Sequence, residues 1–72
     1  MLVKLTNLDG HSRCIDVEDV RLVFTMTRDD ADLSPAPIGC TVVVTETLGE
    51  FWLRESEDVV MEMLNKVLKV LR

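Results

Sequence analysis

Two hydrophobic periodicities divide this chain into a strand-rich body and one terminal helix. Residues 2–6 alternate, with Val3 and Leu5 on one face and Lys4 and Thr6 on the other. Asn7-Leu8-Asp9-Gly10 follows. Asp-Gly between two apolar runs predicts a hairpin, because the turn needs a positive φ that glycine tolerates. Residues 12–17 read as the return strand and 17–19 as a short bend. Residues 20–27 then set Val20, Leu22, Phe24 and Met26 against Arg21, Val23, Thr25 and Thr27, so the first set is expected to meet the core. Residues 28–39 hold two prolines, a glycine and the aspartates Asp29, Asp30 and Asp32, a composition that stops both strand and helix. This predicts a long loop for so small a domain. Residues 40–46 resume as a β-branched strand, 47–49 as a turn and 50–54 as a last strand.

Residues 56–72 follow the helical period. Ser56 is placed to cap the helix, with Glu57 and Asp58 in its first turn, where carboxylates are favoured. At ~100° per residue, Val60, Leu64, Val67, Leu68 and Leu71 share one stripe. Met61 lies on one flank, and Val59, Met63 and Val70 lie on the other. The apolar arc covers roughly 200°, against the roughly 100° that packing on one sheet requires. Either the chain hides the surplus itself or a second chain does. A wet side is marked by Asp58, Glu62, Asn65, Lys66 and Lys69.

The order β-β-β-β-β-α predicts an α+β single domain over residues 1–72. Its simplest form is an antiparallel meander of about five strands with the C-terminal helix across one face. The sheet's share of the core would be Val3, Leu5, Ile15, Leu22, Phe24, Val42, Val44, Phe51 and Leu53. Val23, Val43 and Trp52 would lie on the opposite face. An aromatic there is either a contact point for a partner or a cover for a neighbouring strand.

Composition narrows the functional classes. Thirteen acidic residues against eight basic ones leave a net charge of −5. The bases are scattered, so nothing suggests a nucleic-acid partner. Lys66, Lys69 and Arg72 suit the negative end of the helix. No apolar run is long enough to span a membrane, and no export signal is visible, so a cytoplasmic protein is expected. Cys14 and Cys40 form no CxxC pair and read as two small buried hydrophobes.

Motifs for catalysis, metal or cofactor binding are lacking. Counted from Asp30, the sixth residue of a calcium loop would be Pro35 and the twelfth Thr41, where glycine and glutamate are needed. His11, the only histidine, has just Asp9 within reach across the turn. Gly10, Gly39 and Gly49 belong to no phosphate-binding pattern. Glu46, Glu50 and Glu55 flank the last hairpin, but the chain has too little wall to enclose a water-excluding cleft around them. The expectation is a protein that is not an enzyme and carries no cofactor or metal.

Two stretches carry a family likeness. Val3-Lys4-Leu5-Thr6-Asn7-Leu8-Asp9-Gly10 resembles the opening of the small FlbD/SwrD-type flagellar proteins. Ile15-Asp16-Val17-Glu18-Asp19-Val20 is similar to their second segment, and Glu55-Ser56-Glu57-Asp58-Val59 to the lead into their final helix. The 28–39 loop is longer than the family's turn, and the spacing from Gly49 to Ser56 differs by about a residue. The resemblance implies a short, cytoplasmic, motility-linked protein that acts through contacts and has no catalytic residues.

Together these readings predict a protein-interaction module that forms a homodimer or higher homo-oligomer. Its interface candidates are Val59, Met63 and Val70 on the helix and Trp52 and Val43 on the sheet, with Asp29, Asp30 and Asp32 steering a basic partner. A regulator from a mobile element or phage that binds a host protein is the first alternative, and a small-molecule binder with a pocket under the helix is the second.

Overall fold

A computed structural model describes residues 1–30, 32 and 34–71, with side chains to residue 66. Its elements are β1 (Leu2–Thr6), β2 (Ser12–Asp16), β3 (Val20–Thr25), β4 (Thr41–Thr45), β5 (Gly49–Leu53) and α1 (Glu57–Leu71), with 3-10 turns at Val17–Asp19 and Arg28–Asp30. The fold is α+β, with five antiparallel strands and the helix packed on their inner face. Among the described residues no helix is long and apolar enough to cross a membrane.

The strands form two sheets, β1-β2 and β3-β4-β5. Asp16 ends β2 by accepting a hydrogen bond from the Glu18 N–H at 3.1 Å, which tightens the following residues into a 3-10 turn and carries the chain away. Continuity between the sheets comes instead from the far end of β1. Asn7 bridges to Leu53, the Leu8 N–H donates to the Trp52 carbonyl at 3.1 Å, and the Arg54 N–H donates to the Thr6 carbonyl at 2.8 Å. The β1-β2 turn is the predicted one: Gly10 sits at φ 92°, a conformation that costs other residues ~1–2 kcal/mol.

The main core joins Val3, Leu5, Ile15, Val17, Val43 and Leu53 to Val60 and Leu64 of α1, with Val20, Val23, Phe51 and Met63 packed around them. The helix therefore buries the i, i+4 pair the periodicity places inward. Val60 is 0% exposed, and burying a valine is worth ~1.5–3 kcal/mol. Ser56 caps as expected, its Oγ accepting from the Val59 N–H at 3.3 Å.

In β3 and β4 the faces are reversed from the expected assignment, whereas in β5 Phe51 and Leu53 join the core under the helix and Trp52 faces away, as expected. Val43 is 1% exposed and sits with Val23 under the helix, whereas Phe24, Val42 and Val44 face away from it. In β3 the cause is a bulge at Arg21: Val20 pairs with Thr45 and Leu22 already pairs with Val44. The extra residue shifts the alternation, so Val20 points inward while Leu22 and Phe24 point outward. β5 keeps its expected facing, and the pairing of Val43 with Phe51 and of Val42 with Trp52 turns Val43 inward and Val42 outward in β4.

A second, smaller core covers the outer face. Met26, Ala36, Cys40 and Val42 are buried there, with Leu8, Phe24, Val44 and Trp52 against them. Residues 34–40 thus return over the sheet. The Met26 N–H donates to the Cys40 carbonyl and the Gly39 N–H to the Met26 carbonyl, each at 2.8 Å. Buried Ser34 donates to Glu50 Oε1 at 2.5 Å and accepts from the Ala36 N–H at 3.2 Å. Cys14 departs from expectation. It is exposed on β2 opposite Lys4, while Cys40 is buried, and both thiols are free.

Candidate interaction surfaces

The sequence-derived candidates do not converge on one patch. Val59 lies about 100° round the helix from the buried Val60 and is 44% exposed. Met61, on the opposite flank, is 40% exposed. Met63 is half-buried and packs against the main core. Val67, Leu68, Val70 and Leu71 lie outside the residues whose side chains are described. Val43 is inside the domain and offers no surface. Trp52 is half-buried on the outer face, where its indole N–H donates to Glu50 Oε1 at 2.8 Å. It packs against the outer core and remains partly accessible.

The aspartate loop divides between roles. Asp30 joins Thr27, accepting from its hydroxyl at 2.7 Å, and Asp29 and Asp32 are exposed. The glutamates weighed as an acid–base set each serve a different contact. Glu46 pairs with Arg21. Glu50 accepts from Ser34 and Trp52. Glu55 accepts the Thr6 N–H with both oxygens, at 2.9 and 3.1 Å. Burial pushes the Glu55 carboxyl up, but hydrogen bonds from the Thr6 and Glu55 backbone N–H groups and the Thr6 side chain together outweigh it and hold the group below the usual carboxylate range. His11 pairs with Asp9 at 3.0 Å across the hairpin tip, and the His11 backbone N–H lowers the Asp9 pKa. Burial raises the Cys40 thiol. Among the described residues no three His, Cys, Asp or Glu side chains gather as a metal site would require.

Sequence reasoning missed a surface made by the junction of the two sheets. β1 accompanies β5 only as far as Leu8, then turns away at Gly10. Beyond that point a cleft of about 390 Å³ opens between the hairpin and β5. Glu50, Phe51 and Trp52 form one wall, Leu8 and Asp9 the other, and Arg13 reaches it from β2. Three consecutive strand residues point alternately to opposite faces. A cleft touching all three is bounded by the strand's edge rather than by one face. Antiparallel alternation directs the backbone groups of Trp52 and Arg54 towards β1, as their hydrogen bonds show, and those of Glu50 to the same side. By then β1 has left, so the Glu50 N–H and C=O face the cleft. Asn7, at its closed end, keeps Oδ1 buried with no hydrogen-bond donor.

No family model, curated protein or solved structure matches the chain when it is compared with each.

Proposed function

We propose that this chain is a small, non-enzymatic protein-interaction module that self-associates through the outer flanks of its C-terminal helix. One observation carries this reading. The helix already covers its own sheet with Val60 and Leu64, yet it leaves Val59 and Met61 substantially exposed on either side of that stripe. A monomer leaves two-fifths or more of each of these apolar residues in water. A neighbouring copy gains their burial at ~25 cal/mol per Å² of apolar surface. Methionine suits such a contact because its flexible thioether adapts to an irregular partner. The exposed carboxylates Asp29 and Asp32 would favour the approach of a basic partner surface. The cytoplasmic flagellar proteins that the chain resembles, which act through contacts, give such a module a setting in motility.

Sedimentation equilibrium of the full chain at tens of micromolar tests the reading. The expected mass is twice the single-chain 8.2 kDa or more. Val59→Glu should return it to one chain without altering the circular dichroism, since Val59 is an exposed side chain. A single-chain mass for the unaltered protein, or a mass indifferent to Val59→Glu, would overturn it.

A further inference from the structure

The Val59 flank of α1 carries an inference that rests on the self-association proposed above and deepens it. We propose that two copies pair their helices antiparallel along this flank, with Glu62 of each chain set between Lys66 and Lys69 of the other.

The helical period supplies the seam. Val59, Met63, Lys66 and Val70 follow one another along α1 at spacings of four, three and four residues, the stripe that a pairing helix meets. Val59 is 44% exposed and Met63 half-buried. The other flank does not continue in the same way, because one turn after Met61 stands the exposed, polar Asn65. The Val59 flank is therefore the one a second helix can follow.

Charge selects the occupant and its direction. Glu62 immediately precedes Met63, and Lys69 immediately precedes Val70. The two positions are seven residues apart, so they border the same side of the seam. With the helices parallel, two-fold symmetry sets each position level with its own copy, glutamate beside glutamate and lysine beside lysine. With the helices antiparallel and Val59 opposite Val70, Glu62 comes level with the stretch between Lys66 and Lys69 of the second copy. The same contact recurs across the two-fold axis. The sequence is complementary to itself in this one orientation, which singles out a second copy as the occupant. Within one chain Lys66 Nζ already lies 3.6 Å from Glu62 Oε1, with both side chains mostly exposed. Such an exposed pair holds its members weakly, and the antiparallel copy brings further cations to Glu62 without displacing the first. Charges bordering a seam set orientation and partner choice more than affinity.

Charge reversal with mixing tests this in the full chain. Glu62→Lys should weaken self-association about fivefold in sedimentation equilibrium. It does so although the net charge moves from −5 to −3, which lessens the repulsion between whole chains. The milder Glu62→Gln, which keeps a good helix former, should act in the same direction. Adding Lys69→Glu to Glu62→Lys should restore association at the original net charge of −5. The doubly reversed chain should pair with itself and yet refuse the unaltered chain. In native mass spectrometry of an equimolar mixture, one chain labelled with nitrogen-15, like pairs should exceed mixed pairs. An excess of mixed pairs would assign parallel helices and overturn the proposal. A statistical mixture, or association indifferent to both Glu62 variants, would overturn it too. In each of these cases a dimer that still dissociates with Val59→Glu leaves the self-association reading standing. A single-chain mass for the unaltered protein overturns both.

Discussion

Glu55→Gln should weaken the fold at neutral pH and leave it almost unchanged in acid. Glu55 precedes the helix, and its carboxylate takes the backbone N–H of Thr6 with both oxygens, at 2.9 and 3.1 Å, across 49 residues of sequence. That contact ties the chain just before the helix to the end of β1. A hydrogen bond to a charged group is worth ~1.5–3 kcal/mol and one to a neutral oxygen ~0.5–1.5 kcal/mol. Glutamine keeps one oxygen and loses the charge, so the difference is about 1 kcal/mol, with partial exposure setting the lower end. For a domain of this size, 1 kcal/mol moves Tm by about 4–8 °C. The sign with pH follows from the lowered carboxyl. A group whose folded pKa lies below its unfolded value, ~4.3 for glutamate, stabilises the fold above that unfolded value. This contribution is lost as the pH falls through the folded pKa. The assay is thermal unfolding by circular dichroism for both proteins at about pH 7 and about pH 2.5. A gap of several degrees at neutral pH should close in acid. Equal gaps at both, or none at neutral pH, would refute the role assigned to the Thr6 contact.

Two further predictions concern placement within the fold. Val43→Thr should cost ~1–3 kcal/mol in urea unfolding, because it buries a hydroxyl under the helix, while Val44→Thr on the half-buried outer face should cost less than about 1 kcal/mol. The reverse ranking would return the sheet to the face assignment that simple alternation predicts. In a thiol titration with a chromogenic disulfide, Cys14 should react at once and Cys40 only as the protein unfolds, since Cys40 is buried and burial raises its thiol. Two equally fast thiols would contradict the second core.

Local chemistry was legible wherever a few neighbouring residues suffice. The Asp9-Gly10 turn, the Ser56 cap and the inward Val60–Leu64 stripe all depend on contacts within about one turn of chain. Strand existence was legible for the same reason, and so was the α+β class that follows from strand number and a single amphipathic helix. The facing of β5 was legible too, but that of β3 and β4 was not. Val42-Val43-Val44 is continuously apolar, so a period of two cannot say which member points inward. In β3 the alternation is clean and still misleads, because the bulge at Arg21 exists only through pairing with β4. The 28–39 segment reads only as a long loop, yet Ser34 and Ala36 are buried over the outer face, and this requires the sheet beneath them.

Residue pattern therefore determined the elements, their turns and the helix stripe, each a property of short stretches of chain. Tertiary structure decided which side of the sheet meets the helix, that Cys14 lies outside and Cys40 inside, and that β1 leaves β5 at Leu8 to open a groove. These outcomes depend on register and long-range pairing. Shifting a strand by one residue exchanges its two faces without altering the composition of either.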